Sequence, residues 1–136
     1  MASELSRAKQ RAWKAFSEYI RRRDCLDTTG TWDYGICCTC GKQYHFAHLQ
    51  AGHFIAGRTN SVLFREQGVH GQCRGCNIFG NGKNAEYILY MKDRYGDEVI
   101  EQEAKAKTVT TKYTVKDFKE IEKEYKEKLE ELCKTQ

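Results

Sequence analysis

Cys37-x2-Cys40 and Cys73-x2-Cys76 are separated by 32 residues, and that pattern restricts this chain more than any other feature. Two pairs at this separation are the ligand set of a four-cysteine zinc site, in which thiolates hold the ion tetrahedrally. Both ends of the segment between them must then meet at one metal ion. Cys38 lies inside the first pair and competes as a ligand. Cys37 is preferred because its two-residue spacing to Cys40 matches that of Cys73 and Cys76. The chain has seven cysteines, so Cys25, Cys38 and Cys133 are left without a role. The stretch from Met1 to Arg11 is polar and lacks the apolar core of a secretory signal. The expectation is therefore a cytoplasmic protein whose cysteines bind metal rather than form disulfides.

At 136 residues the chain is long enough for one domain. The expected organisation is a single domain over 1–136. A basic N-terminal helix covers 1–24, a zinc-clamped module 36–95 and a helical region 96–136. Hydrophobic residues make up 40% and charged residues 31%, which fits a globular chain rather than a disordered one. No apolar run approaches the ~18 residues of a membrane span, so neither a transmembrane helix nor a membrane partner is expected.

The net charge of +4 is unevenly spread. Residues 1–23 carry seven Lys and Arg against two Glu. Residues 42–83 carry Lys42, Arg58, Arg65, Arg74 and Lys83 against Glu66 alone. The stretch 115–136 balances six Lys against seven acids. Positive charge thus gathers at the N-terminus and around the cysteines, which points to a polyanion such as nucleic acid. A solvated basic helix face would give the same count.

Leu5, Ala8, Ala12, Phe16 and Ile20 recur at helical spacing and predict an amphipathic helix from about Ser6 to Arg23. Residues 24–36, with Thr28-Thr29-Gly30-Thr31, read as a loop. Cys37 to Gly41 reads as a zinc knuckle and Tyr44-His45-Phe46 as a hairpin strand. Residues 56–72 read as loop plus a short strand. A helix is expected from near Cys73, ended by Gly80-Asn81-Gly82. Tyr87, Ile88, Met91 and Tyr95 define the face of a further helix, with Gly96 as its cap. A short helix is expected over 97–105 and an extended stretch over Lys107–Tyr113. Thr114 caps the last helix with Asp117 in a capping-box position. Its stripe of Val115, Phe118, Ile121, Tyr125, Leu129 and Leu132 packs on the N-terminal helix or serves as a homodimer face.

Between and after the cysteine pairs stand Ala51-Gly52-His53-Phe54, His70 three residues before Cys73, Asn77 directly after Cys76, and Gly82. This run over 37–84 resembles the HNH, or ββα-metal, nucleases, and among them the phage NinG (Rap) recombination proteins. The flanking helices extend the similarity over most of the chain. The resemblance implies an α+β, mostly α, fold: a zinc-stabilised ββα-metal core flanked by the N-terminal amphipathic helix and the long C-terminal helix. It implies structural Zn²⁺ on the four cysteines and a separate catalytic divalent ion, Mg²⁺ or Mn²⁺. His53 matches the general base and Asn77 the ligand of the catalytic ion, with His70 assigned to the same catalytic group. A neutral imidazole takes a water's proton near pH 7, and a hard cation neutralises charge developing on phosphate. Many such nucleases carry Asp or His before the base, where this chain has Gly52. The motif's central Asn would fall near Gly68. The ion's shell must then draw on Glu66, His70, Asn77, Asn81 or His53 itself. Arg58, Lys83, Arg21 and Arg22 are the candidate nucleic-acid contacts.

The resulting expectation is a metal-dependent endonuclease of phage or prophage origin acting on branched or single-strand-containing DNA. A non-catalytic zinc module that binds nucleic acid is the alternative. A zinc-stabilised protein adaptor using the last helix is a third. His53 and Asn77 separate the first from the others.

Overall fold

A computed structural model describes residues 2–56 and 59–136. The chain is mostly helical, with two small two-stranded sheets and a cysteine cluster. Helix α1 spans Glu4–Thr29 and starts where the Ser3 hydroxyl accepts the Ser6 N–H at 3.0 Å. It runs six residues beyond the expected end at Arg23. Thr28 and Thr29, which look like turn residues, return their hydroxyls to the carbonyls of Asp24 (2.6 Å) and Cys25 (3.0 Å). Gly30 then closes the helix at φ 73, a left-handed cap that glycine adopts without strain.

Strand β1 (Tyr34–Ile36) pairs antiparallel with β2 (Gln43–His45), and the first cysteine knuckle forms the turn between them. Phe46, expected in the strand, instead opens a 3₁₀ turn over Phe46–His48. Strand β3 (Leu49–His53) pairs antiparallel with β4 (Val69–Cys73), with Gly52 opposite His70 and His53 opposite Val69. A short helix α2 (Asn60–Leu63) and a 3₁₀ turn (Glu66–Gly68) fill the connection. After β4 the chain makes a π-helical turn over Gly75–Phe79, then α3 (Asn84–Arg94), α4 (Asp97–Ala106) and α5 (Val115–Lys134). The stretch 107–113 pairs with no strand among the described residues, although its β-branched residues suggested extension.

The largest interface joins α1 and α5. Ala8 and Ala12 cluster with Phe118, while Phe16 and Tyr19 meet Tyr125, so the two helices run side by side in the same direction. Small residues on α1 let the aromatic rings of α5 sit close, and Phe16 meets Tyr125 edge to face at 4.8 Å. Burying each such ring is worth about 1.5–3 kcal/mol. Thr114 and Asp117 form the expected capping box at the start of α5. A second cluster packs Tyr87 and Met91 of α3 on Phe54, with Val99 and Ile100 of α4 against it. Ile88, expected on that face, is exposed.

One polar tie fixes the hairpin to α1. Asp24 is buried; its carboxylate accepts the Gly71 N–H at 2.7 Å and the Arg23 Nε–H at 2.8 Å. The same guanidinium donates to the Glu66 carbonyl at 2.8 Å and the Val69 carbonyl at 2.9 Å. A buried ion pair is costly unless its remaining groups are satisfied, and here backbone groups of the hairpin satisfy them.

Candidate functional site

The thiols of Cys37, Cys40, Cys73 and Cys76 lie within 4.8 Å of one another. The two knuckles are built alike. Cys40 N–H points to Cys37 Sγ at 3.5 Å, and Cys76 N–H to Cys73 Sγ at 3.4 Å. Cys73 N–H adds a cross-link to Cys37 Sγ at 3.3 Å. Tetrahedral Zn²⁺ with Zn–S near ~2.3 Å requires sulfurs roughly 3.8 Å apart. Cys40 and Cys73 stand at 3.9 Å, so the cluster fits a metal such as zinc. Burial would raise the Cys37 thiol, but the amides of Cys73, Cys40 and Thr39 and the Thr39 hydroxyl outweigh it and hold the thiol at about 6. Cys76 is pushed up to about 12, chiefly by burial. A bound cation is what brings all four into the thiolate form. Cys38 turns away from the cluster and packs against Phe54, Tyr87 and Met91.

Beside this cluster lies a cleft of about 470 Å³. His53, Gln50, Asn77, Asn81, Arg21 and Trp13 all contribute to its walls. None of the described residues lining it is acidic. His53 stands at the end of β3, its ring stacked on Trp13 of α1 with centroids 5.1 Å apart. Its Nε2 lies 3.2 Å from the Leu63 carbonyl. A carbonyl only accepts, so in the neutral ring the proton sits on Nε2 and the basic lone pair on Nδ1. Asn77, carried by the π-helical turn, donates its amide N–H to Gln50 Oε1 at 2.8 Å. With the amide oriented by Gln50, the Asn77 carbonyl oxygen remains as its acceptor.

Of the candidate residues, His53, Asn77, Asn81 and Arg21 line this one cleft. His70 and Glu66 do not join them. His70 projects from β4 across from Gly52, on the opposite face of the hairpin from His53, and is fully buried. Its Nε2 meets the Tyr95 hydroxyl at 2.7 Å, and its Nδ1 lies 3.4 Å from the Tyr87 hydroxyl, which donates to the Gly52 carbonyl at 2.6 Å. Burial, with Arg23 and Arg94 adding to it, holds the imidazole well below its usual pKa and hence neutral. Glu66 points to α5, where its carboxylate accepts from Tyr125 at 2.9 Å and Lys128 at 2.6 Å. It is therefore already neutralised, away from the cleft.

Among the candidate contacts, Arg22 is committed elsewhere. Its guanidinium lies 3.5 Å from the Phe46 ring centroid and 4.8 Å from that of Trp32, and it pairs with Asp33. Lys83 is exposed between cleft residues Gly82 and Asn84. Arg58 lies outside the described residues.

Gln50, Trp13 and Asn84 escaped the sequence reading. By period-two alternation Gln50 falls on the Gly52 face of β3, opposite to His53, so the strand pattern gave no sign that it lines the same cleft. Trp13 reads as the flank of an amphipathic helix, and nothing local links it to His53. The structure also accounts for Gly52. A Cβ there would run into the Gln72 amide, whose Nε2 donates to Thr39 Oγ1 (3.1 Å) and the Gly82 carbonyl (2.9 Å). Gly68, where the motif's Asn would fall, packs against the Glu103 carboxylate, which Arg65 engages through both oxygens.

The family model described as Bacteriophage Lambda NinG protein matches residues 2–135. The chain belongs to the NinG family. It is similar to Protein ninG of Escherichia phage lambda, 28% identical over 124 residues, covering 90% of this chain and 56% of the relative. Protein ninG of Enterobacteria phage VT2-Sa and of Salmonella phage P22 are each 27% identical over 124 residues. The chain therefore spans a little over half the length of the curated NinG relatives it matches. No solved structure matches it. Among the described residues no helix is long and apolar enough to cross a membrane.

Proposed function

We propose that this NinG-family chain is a metal-dependent DNA endonuclease of the HNH, or ββα-metal, type. On this reading β3, β4 and the π-helical turn form the ββα unit, and the cysteine cluster holds a structural zinc that clamps its ends. The observation that carries the proposal is that His53 and Asn77 line one cleft, with His53 Nε2 held by a backbone carbonyl.

The chemistry follows from those positions. A water beside His53 gives its proton to the imidazole as its oxygen bonds to phosphorus, and the bond from phosphorus to the leaving sugar oxygen breaks. Trp13 keeps the imidazole plane fixed, and Arg21 supplies positive charge to the phosphate. A Mg²⁺-class ion, when bound, neutralises charge developing on the phosphate and leaving oxygen.

The residues present fit such an ion in a limited way. The cleft offers the amide oxygens of Asn77, Gln50 and Asn81 but no carboxylate. Gln72 Oε1, beside Gly52, is buried with no hydrogen-bond partner among the described residues. Neutral oxygen donors suit an ion that keeps waters and shares the substrate's phosphate, not one held tightly without substrate.

By resemblance to NinG recombination proteins, the substrate is branched or single-strand-containing DNA. The test is incubation of the zinc-loaded chain with supercoiled plasmid and a three-armed DNA junction, with Mg²⁺, Mn²⁺ or chelator. Cleavage is expected in the divalent ions and none in chelator. The missing carboxylate favours the second reading, a zinc module that binds DNA without cutting it. Binding without cleavage in either ion would establish that reading instead.

A further inference from the structure

The π-helical turn presents its apolar side chains outward. Phe79 is 76% exposed, more than any other large hydrophobic residue described, and its neighbour Ile78 is 48% exposed. Their position relative to the cleft follows from the chain path. Asn77 lines the cleft, the chain leaves it over Ile78–Gly80, and Asn81 and Gly82 line it again. Phe79 therefore stands at the rim of the cleft, between residues that form its wall.

This tip is built to be rigid. Gly80 N–H donates to the Gly75 carbonyl at 2.7 Å, Gly82 N–H to the Cys76 carbonyl at 2.9 Å, and Gln72 Nε2 to the Gly82 carbonyl at 2.9 Å. Asn81 and Lys83 are held at φ 54 and 51, the left-handed region, as the turn doubles back. A Cβ at Gly80 would meet the Cys76 carbonyl at 2.9 Å, so only glycine permits this closure. The aromatic ring is thus fixed to the cysteine knuckle rather than carried on a loose loop.

Its surroundings are cationic. Residues 67–85 contain no acid, and the exposed Arg74 and Lys83 flank the turn on either side in the sequence. An exposed ring in an acid-free stretch flanked by Arg74 and Lys83, next to a candidate phosphodiester cleft, matches the stacking platforms by which proteins hold unpaired bases. Side chains of this kind also wedge between base steps at kinks.

We propose that Phe79 is a base-stacking wedge that engages an unpaired nucleobase at a DNA branch, with Ile78 supporting the ring. The proposal rests on the DNA reading of the cleft and names the part of the substrate that the rim recognises. Arg74 and Lys83 hold the phosphates on either side of the stacked base, while Phe79 discriminates branched from continuous duplex DNA.

The test uses the zinc-loaded full chain as wild type, Phe79→Ala and Phe79→Trp. Affinity is measured by anisotropy on duplex and on a three-armed junction carrying 2-aminopurine at an unpaired branch position. Wild type should prefer the junction and change the 2-aminopurine fluorescence. Phe79→Ala should keep its zinc and duplex affinity, lose about 10-fold on the junction, and lose the fluorescence change. Phe79→Trp should retain both. A Phe79→Ala chain that keeps the wild-type junction-to-duplex ratio, or weakens equally on both DNAs, overturns the proposal. So does loss of self-association without change in DNA binding, which would make the tip a protein contact. A wild type that binds neither DNA removes the DNA reading itself, and with it the wedge.

Discussion

Single residues show how this chain separates packing from chemistry. His53 and His70 sit one residue out of register across β3 and β4, and alternation sends them to opposite faces. One enters the cleft; the other is sealed under Tyr87, Tyr90 and Tyr95. Glu66, the lone acid in residues 34–85, is drawn away from the cleft to anchor α5. Burial pushes its carboxyl up, but hydrogen bonds from Lys128 and Tyr125 outweigh this and hold it below the usual 4.5. A depressed folded pKa stabilises the fold above the unfolded pKa, and that contribution is lost as pH falls through the folded value. Glu66→Gln should therefore cost about 1 kcal/mol at neutral pH, reduced by the partial exposure of the pair. Urea titrations should show the difference shrinking as pH falls below the ordinary carboxylate range and wild-type Glu66 also protonates. A cost that is constant with pH would mean the carboxylate charge plays no part in docking α5.

At the scale of elements, the sequence was legible wherever one periodicity or one spacing decided the outcome. The capping box at Thr114, the stripe of α5 on α1, the start of a helical turn after Cys73 and its end at Gly80 all carry local signals. The C-terminal end of α1 did not, because Thr28 and Thr29 read as turn residues until their hydroxyls are seen to fold back on the helix. Ile88 failed for the opposite reason. It has the right spacing, but α4 covers only the Tyr87 and Met91 side of α3. In the cleft, His53 and Asn77 were legible from their places in the cysteine pattern, whereas Gln50 and Trp13 meet them only through tertiary folding. β3, β4 and the π-helical turn form little apolar core of their own, and the cysteine cluster joins their ends. Removing the metal should therefore act first on them. Cys73→Ser is expected to abolish zinc binding and amide-exchange protection over residues 37–83, while the α1–α5 layer retains helical circular dichroism. Full protection in the metal-free variant would contradict a structural role for the ion.

Across the whole molecule, charge is sorted by side. Glu122, Glu124 and Glu131 of α5 pair with lysines of the same helix, and Glu122 also with Arg11 of α1, whereas Arg21 lines a cleft with no acid among its described lining residues, and Arg74 and Lys83 are exposed on the adjoining segment. DNA binding should accordingly weaken with salt, by roughly 0.9 in log–log slope for each phosphate contacted. Arg74→Ala and Lys83→Ala should each reduce that slope by about one contact without losing zinc. An affinity flat across the salt series would remove DNA as the partner. The central claim is that His53, set by Trp13 and the Leu63 carbonyl, is the base of a nuclease site. The measurement that tests it most directly is single-turnover cleavage of a three-armed junction by wild type and His53→Ala, with zinc content and DNA affinity measured on the same samples. The account predicts a loss of about 10²–10⁴-fold in cleavage with zinc and affinity retained. Cleavage by His53→Ala at the wild-type rate in the same divalent ion would contradict it.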